Sequence, residues 1–242
     1  MQPHLELDAT WLIVNHVDEI ISFVPRASAD PLRAFALLIA SPRRAHRALW
    51  SAHQAGHGGA TMLTGRHFGP AAAQLTVDEY LGQGGNLSAG LLGANLFLRA
   101  SAVPPTAADY LQWNNTCQAR LDAVLAALAA EIEIPQVIEI PMLFMPVDEL
   151  PSGTQLFCAA TPGSVNMLVL NGHCIIPDPF GPMLPAGDLF QACMRNELEA
   201  LGLTVNFIDD WDYHSQVGDV HCATNTRRIP QQGRVAWWGY VP

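Results

Sequence analysis

A two-residue turn between two apolar runs constrains the fold more than any other feature of the sequence. Asn171-Gly172 separates residues 165–170 from residues 173–176. A loop of this type closes an antiparallel hairpin, because both turn positions require a positive φ that Asn and Gly adopt readily. The sequence therefore predicts two antiparallel strands joined by a tight turn.

The residues that follow this hairpin predict a helix and a further strand. After a loop over 177–187, Asp188 can cap a helix that runs to about Leu201, and Gly202 ends it. An apolar run over 203–208 then reads as a strand. The order β-β-α-β predicts an α/β fold built from such units, although the sequence itself shows no internal repeat.

Other elements are predicted from periodicity and capping. Residues 118–132 place their apolar side chains on one helical face. Ser41-Pro42 begins a helix that continues to about Gln54. Apolar runs over 10–14, 35–40 and 234–241 read as strands. Residues 58–112 are rich in Gly and Ala, which favours a long loop or lid with short helical pieces.

Composition excludes several classes of protein. Half of the 242 residues are apolar and 14% are charged, which favours a folded domain over a disordered chain. The net charge is −10 and all twelve basic residues are arginine, which argues against a nucleic-acid partner. No apolar run reaches the roughly 18 residues of a membrane span. The polar start and the widely spaced cysteines favour a cytoplasmic, reduced setting.

Two short segments concentrate reactive side chains where apolar runs give way to polar residues. One is Asn15–Glu19 and the other is Val220–Asn225. If the first continues the predicted strand, His16 and Asp18 project from one face, because strand side chains repeat every two residues. This pattern favours a shared pocket, but it also fits a core histidine with a carboxylate partner or a solvated turn.

Cys222 is the candidate nucleophile among the cysteines. A cysteine with distant His and Asp partners is one nucleophile arrangement, although free cysteines are more often buried and inert. The adjacent His221 would point to the opposite face of a strand, which favours His16 as the partner base. The remaining cysteines are expected to be structural: Cys117, Cys158, Cys174 and Cys193.

The residues around these segments resemble one family, the protein-arginine deiminases. Trp11–Pro25 resembles the family stretch WLxVGHVDEFxSFVP, and Gly218–Asn225 resembles GEVHCGTN. Between and after them, further stretches resemble family blocks in the same order: Leu38–Arg43 (LLASPR), Gly56–Gly58 (EGHG), Ile140–Phe144 (IPxLF), Val165–Leu170 (VNMLVL), Pro179–Pro182 (PFGP), Arg227-Arg228, and Trp237–Pro242 at the family's C-terminus.

The resemblance implies a fold. The family's catalytic domain is a five-bladed α/β propeller, the pentein fold, made of ββαβ modules. Residues 1–242 would form the C-terminal part of that domain, about three of its five modules. Residues 58–112 would be a variable Gly/Ala-rich insertion or lid within it.

The resemblance also implies an activity, the hydrolytic deimination of peptidyl-arginine to peptidyl-citrulline and ammonia through a covalent thiouronium intermediate. Cys222 would be the nucleophile and His16 the acid/base, while Asp18 would hold the substrate guanidinium and Val14 would lie at the edge of the substrate site. Calcium is the implied cofactor, with most of its ligands upstream. The implied partners are arginine-containing proteins or peptides, and a homodimer is the implied assembly.

The sequence departs from the family pattern in ways that leave alternatives open. The family's first guanidinium-binding carboxylate lies upstream, so we expect the chain to act only as part of a longer one. A truncated inactive homologue that serves as a binding or structural module, or a small-molecule guanidine deiminase, are the alternatives. Asn15 and Ala223 replace family glycines, and Asn tolerates a positive φ better than Ala does. Gln216-Val217 stands where the family often has Arg-His.

Overall fold

The computed structural model describes residues 5–68, 71–84, 106–149, 153 and 155–227. Short 3-10 helices cover Val17–Glu19 and Pro31–Arg33. The α-helices are α1 (Pro42–Gln54), α2 (Val77–Leu81), α3 (Ala107–Glu131), α4 (Leu189–Glu199) and α5 (Trp211–His214). The strands are β1 (Ile21–Pro25), β2 (Phe35–Ser41), β3 (Thr61–Met62), β4 (His67–Phe68), β5 (Ala71–Ala72), β6 (Leu75–Thr76), β7 (Val137–Pro141), β8 (Phe144–Glu149), β9 (Gln155–Ala159), β10 (Leu168–Leu170), β11 (His173–Pro177), β12 (Met183–Leu184), β13 (Gly187–Asp188) and β14 (Thr204–Ile208).

The predicted ββαβ unit is confirmed in the second half of the chain. Strands β10 and β11 pair antiparallel around the Asn171-Gly172 turn, and β14 then pairs parallel to β11. Both turn residues have positive φ, 50° and 81°. Helix α4 crosses between β11 and β14, and the Asp188 carboxylate caps it by accepting from the backbone N–H groups of Phe190 and Gln191. We call this arrangement unit two.

The first half of the chain contains a sheet of the same design, which the sequence does not reveal as a repeat. Strand β2 pairs antiparallel with β1 and parallel with β7, so the order β1-β2-β7 matches the order β10-β11-β14. The predicted strand over 35–40 and helix over 42–54 are confirmed here, with Ser41 accepting from the Arg44 N–H as the helix cap. We call this arrangement unit one.

A third hairpin joins the start of the chain to its middle. Strands β8 and β9 pair antiparallel, and Leu12 forms a single parallel bridge to Phe157 in β9. The prediction of a strand over 10–14 is therefore wrong, apart from this single bridge. The Thr10 N–H and hydroxyl both bond the Asp8 carboxylate, and the Leu12 N–H bonds the Ala9 carbonyl, so these residues form a turn. Trp11 and Leu12 are buried as expected, but in a loop, and Ile13 and Val14 are half-buried.

The long segment between β2 and β7 differs in part from its prediction. Helix α3 begins at Ala107, well before the predicted start at 118, because Thr106 and Asp109 form a reciprocal capping box there. The described parts of 58–112 hold β3 to β6 and α2, so they are more regular than a loop. Residues 85–105 lie outside the described residues, as does the strand predicted over 234–241.

Both units pack into one hydrophobic core. Leu38 of unit one and Ile176 of unit two are both fully buried in the same cluster, together with Leu121 from α3. A second cluster of buried apolar side chains includes Leu49 from α1 and Tyr80 from α2. None of the helices within the described ranges is long and apolar enough to cross a membrane.

Candidate active site

Cys222 lies in a turn and not in a strand. Residues 220–223 follow α5 as a turn closed by a hydrogen bond from the Ala223 N–H to the Asp219 carbonyl. Cys222 is exposed, and its backbone N–H donates to Asn166 Oδ1 over 3.1 Å. Because His221 and Cys222 lie in a turn, strand alternation does not place their side chains on opposite faces.

The segment that carries His16 and Asp18 also differs from its prediction. Val17–Glu19 form a 3-10 helix, so the alternation that would place both side chains on one strand face is absent. Asn15 adopts a φ of +61°, the left-handed conformation that a glycine would take freely. With its amide suitably oriented, the Asn15 side chain donates to the carbonyls of Ala9 and Leu12. Ala223, in contrast, has no positive φ, so its replacement of a glycine causes no such strain.

The structure brings Asp18 to the Cys222 turn through two side chains. His221 Nδ1 lies 2.7 Å from Asp18 Oδ2. Asn166 Nδ2 donates to the same oxygen over 3.0 Å, and also to the Asp18 carbonyl over 3.3 Å. Asn166 thus contacts both Asp18 and the Cys222 backbone, and it joins the two reactive segments.

His16 and Val14 stand apart from these contacts. The His16 N–H donates to the Glu19 carboxylate over 2.9 Å. Within the described part of the chain, no hydrogen bond joins the His16 side chain to Cys222. Val14 is half-buried, and neither residue is among the described residues that line the pocket beside Cys222.

The pocket beside Cys222 is narrow and acidic. Its walls include Glu19, Asp219 and Cys222, with apolar side chains such as Met142 opposite. An interior volume of about 30 Å³ leaves room for one or two water molecules, which is too little for an arginine side chain.

Burial and neighbouring carboxylates set the protonation of the pocket. Burial raises the pKa of the Cys222 thiol above its usual value, and the charges of Asp18 and Asp219 raise it further. Burial likewise raises the pKa of Glu19 to about 7. The unliganded site therefore favours a neutral thiol at neutral pH, and a cation beside it would favour the thiolate.

A buried histidine pairs with the carboxylate of Asp219, the residue that precedes the Cys222 turn. His214 Nδ1 lies 3.1 Å from Asp219 Oδ1, while Asp219 Oδ2 accepts from the Gly163 N–H. Both side chains are buried. Sequence reasoning missed this pair and Asn166, because nothing in the residue types distinguishes a buried asparagine at 166 from any other polar residue beside a strand.

No group of three or more His, Cys, Asp or Glu side chains in the described ranges is arranged to hold a metal ion. All five cysteines are free thiols, and Cys117, Cys158 and Cys174 are buried as expected for structural residues.

Comparison with known proteins identifies relatives over the whole chain. The sequence model of the family described as protein-arginine deiminase matches residues 1–88 and 106–239. Human protein-arginine deiminase type-3 is 32% identical over all of this chain, and mouse type-4 is 33% identical over the same extent. Mouse type-1 is 30% identical. In each case the match covers 31% or 32% of the relative, so the chain spans about a third of the length of these curated relatives.

The family match includes both reactive segments, which the fold brings together at Asn166. It leaves residues 89–105 unmatched, a shorter stretch than the predicted insertion over 58–112. The chain belongs to the protein-arginine deiminase family.

Proposed function

We propose that this chain carries the nucleophile of an enzyme that hydrolyses peptidyl-arginine to peptidyl-citrulline and ammonia, as part of a longer protein. The observation that carries the proposal is the junction at Asn166, which holds a carboxylate and an accessible cysteine in one site. Units one and two, with the β8–β9 hairpin, would be blades of a five-bladed propeller. The relatives named protein-arginine deiminase support the reaction class.

The substrate would bind as a cation between acidic side chains. A guanidinium presents its N–H groups in a plane, and the Asp18 carboxylate can accept them as charge-assisted hydrogen bonds. Because Asp18 and Asp219 raise the pKa of Cys222, the positive charge of a bound guanidinium would offset them and favour the thiolate. The narrow pocket behind Cys222 is too small for the substrate, so the guanidinium would approach from the exposed side.

The chemistry would proceed in two steps. Cys222 Sγ attacks the guanidinium carbon, and a general acid protonates the departing nitrogen, so that ammonia leaves and a thiouronium remains. Water then attacks the same carbon, loses a proton to the general base, and releases citrulline with the thiol restored. His16 is our candidate for the acid/base by family resemblance, and its imidazole is free of a hydrogen bond to Cys222 in the described structure.

The test is an assay of citrulline release from a benzoylated arginine ester. The 242-residue chain and an upstream-extended chain would each be assayed with and without calcium. We expect activity only from the extended chain with calcium. Cys222→Ser should lower that activity at least 100-fold, because serine is a far weaker nucleophile at neutral pH.

The matched control is Cys193→Ser, which alters a thiol in α4 outside the pocket and should leave activity unchanged. No citrulline from the extended chain, or full activity in Cys222→Ser, would refute the proposal. Clear activity from the short chain would refute only the requirement for a longer protein.

A further inference from the structure

Asn166 is a buried side chain with polar contacts on both reactive segments. Its exposed fraction is 1%. Its Oδ1 accepts from the Cys222 N–H, its Nδ2 donates to Asp18, and its carbonyl accepts from the His221 N–H over 3.0 Å. Its own N–H bonds the Gly163 carbonyl and fixes it in a turn before β10.

The contacts at Asp18 determine which of its oxygens is available. Asn166 Nδ2 and His221 Nδ1 both lie against Oδ2, at 3.0 Å and 2.7 Å. No described side chain bonds Oδ1. The Asp18 side chain is 29% exposed, so Oδ1 is the oxygen that can accept from an incoming group.

Only a side chain with one acceptor and one donor group, separated as in a primary amide, makes both contacts. Aspartate at 166 would keep the acceptor for the Cys222 N–H but would place a second carboxylate against Asp18. A hydroxyl at 166 is too short to reach both segments. The amide of Asn166 can therefore accept from the Cys222 N–H and donate to the Asp18 carboxylate at the same time.

We propose that Asn166 is a positioning residue that sets the orientation of the Asp18 carboxylate relative to Cys222. It acts through these two residues and does not itself touch the reacting atoms. The catalytic role of Asn166 rests on the proposed function. Its effect on the reactivity of the Cys222 thiol does not, because that reactivity can be measured in the chain without substrate.

Asn114 provides a matched control. It is also a buried asparagine, with an exposed fraction of 3%, and its amide also makes three hydrogen bonds. Two of these bonds join α3 to the Phe144 backbone, and the third reaches the Tyr110 carbonyl within α3. None reaches Cys222 or Asp18. Replacing Asn114 thus removes comparable buried polar contacts without touching the reactive segments.

The first experiment measures the rate at which iodoacetamide alkylates Cys222 as a function of pH, by peptide mass spectrometry. The described ionisable groups near Cys222 are Asp18, Glu19, Cys158, His214, Asp219 and His221. Asn166→Asp adds a negative charge beside them, so we expect alkylation at pH 7.5 to fall about tenfold, the effect of about one pKa unit. Asn166→Ser removes the bond without adding charge and should slow alkylation by about threefold.

The Asn114 variants are the control for the alkylation experiment. Asn114→Asp and Asn114→Ser should leave the pH midpoint of Cys222 alkylation unchanged, even if they lower the melting temperature as much as the Asn166 variants do. An Asn166→Asp midpoint equal to that of the wild-type chain, or an equal shift in the Asn114 variants, would overturn the proposal. Failure of both Asn166 variants to fold, where the Asn114 variants fold, would also overturn it in favour of a purely structural role.

A second experiment separates this inference from the proposed function. In the extended chain, Asn166→Asp should raise KM for the arginine ester at least tenfold more than Asn114→Asp does, since the reoriented Asp18 binds the guanidinium poorly. Absence of citrulline from the extended wild type would refute the proposed function, while the alkylation profile would still decide the role of Asn166.

Discussion

Units one and two share a strand order and differ in what separates their last two strands. In unit two, the crossover from β11 to β14 contains only the short β12–β13 hairpin and α4. In unit one, the described part of the crossover from β2 to β7 contains α1, four short strands, α2 and α3. The sheet therefore tolerates a very long insertion at this point, because the cost of closing a loop grows only slowly with its length.

The largest expected effect tests whether the two units fold as one. Leu38→Ala in unit one and Ile176→Ala in unit two each leave a cavity in the shared core, so each should lower the free energy of unfolding by about 2–5 kcal/mol. Urea unfolding followed by far-UV and near-UV circular dichroism should show one coincident transition in both variants. Two separated transitions, each moved by only one of the substitutions, would show that the units are independent.

A second, pH-dependent effect distinguishes the two helix caps. Burial raises the pKa of Asp188 to about 6, with Asp178 adding to the shift, whereas the Ser41 cap of unit one does not titrate. Because the folded state binds the proton more tightly than the unfolded state, the Asp188 contribution to stability falls as pH rises from about 4 to about 6. Asn caps a helix as well as Asp does and carries no charge.

The measurement is urea unfolding of Asp188→Asn at pH 4.5 and pH 7. Relative to wild type, the free energy of unfolding of the variant should rise by on the order of 2 kcal/mol from pH 4.5 to pH 7. Ser41→Ala is the control, and it should lower the free energy of unfolding by about 1 kcal/mol at both pH values. If Asp188→Asn showed the same difference from wild type at both pH values, the carboxylate would titrate normally and the contrast between the caps would disappear.

The smallest expected effect concerns the turn of unit two. Gly172 has a φ of +81° and open space around it, so Gly172→Ala adds only backbone strain and should cost about 1 kcal/mol. Gly59, in the crossover of unit one, also has open space but no positive φ. Gly59→Ala should therefore cost nothing measurable in thermal unfolding. Equal melting temperatures for the two variants would contradict the assignment of the strain to φ.

The same contrast explains how much of the fold could be predicted. Unit two was predicted almost whole, because its turn signal, its cap and its last strand lie close together in the sequence. Unit one was predicted only as β2 and α1, since β7 follows a long insertion that hides its pairing. The run over 10–14 is predicted to be a buried strand, and Trp11 and Leu12 are buried, but local bonds to Asp8 form a turn that apolar content alone cannot reveal.

The site was harder to predict than the fold. The candidates Asp18 and Cys222 both bond Asn166, but the strand geometry that favours His16 over His221 is absent. The structure places His221 against Asp18 and leaves His16 bonded through its backbone to Glu19. Which histidine acts as acid/base stays a prediction. No pattern of spacing could identify Asn166, because its importance depends on contacts between distant parts of the chain.

The hydrogen bonds of Asp18 have a consequence for how the protein folds. Its partners Asn166 and His221 lie 148 and 203 positions away along the chain. We expect contacts of such long sequence separation to form late, because pairing within the intervening sheets first reduces the entropy that closing so long a loop would cost. A chain that stalls with either unit incomplete would retain helices and hairpins but would lack this junction. The reactivity of Cys222 would then report the last stage of folding, after spectroscopic signals from secondary structure have already reached their final values.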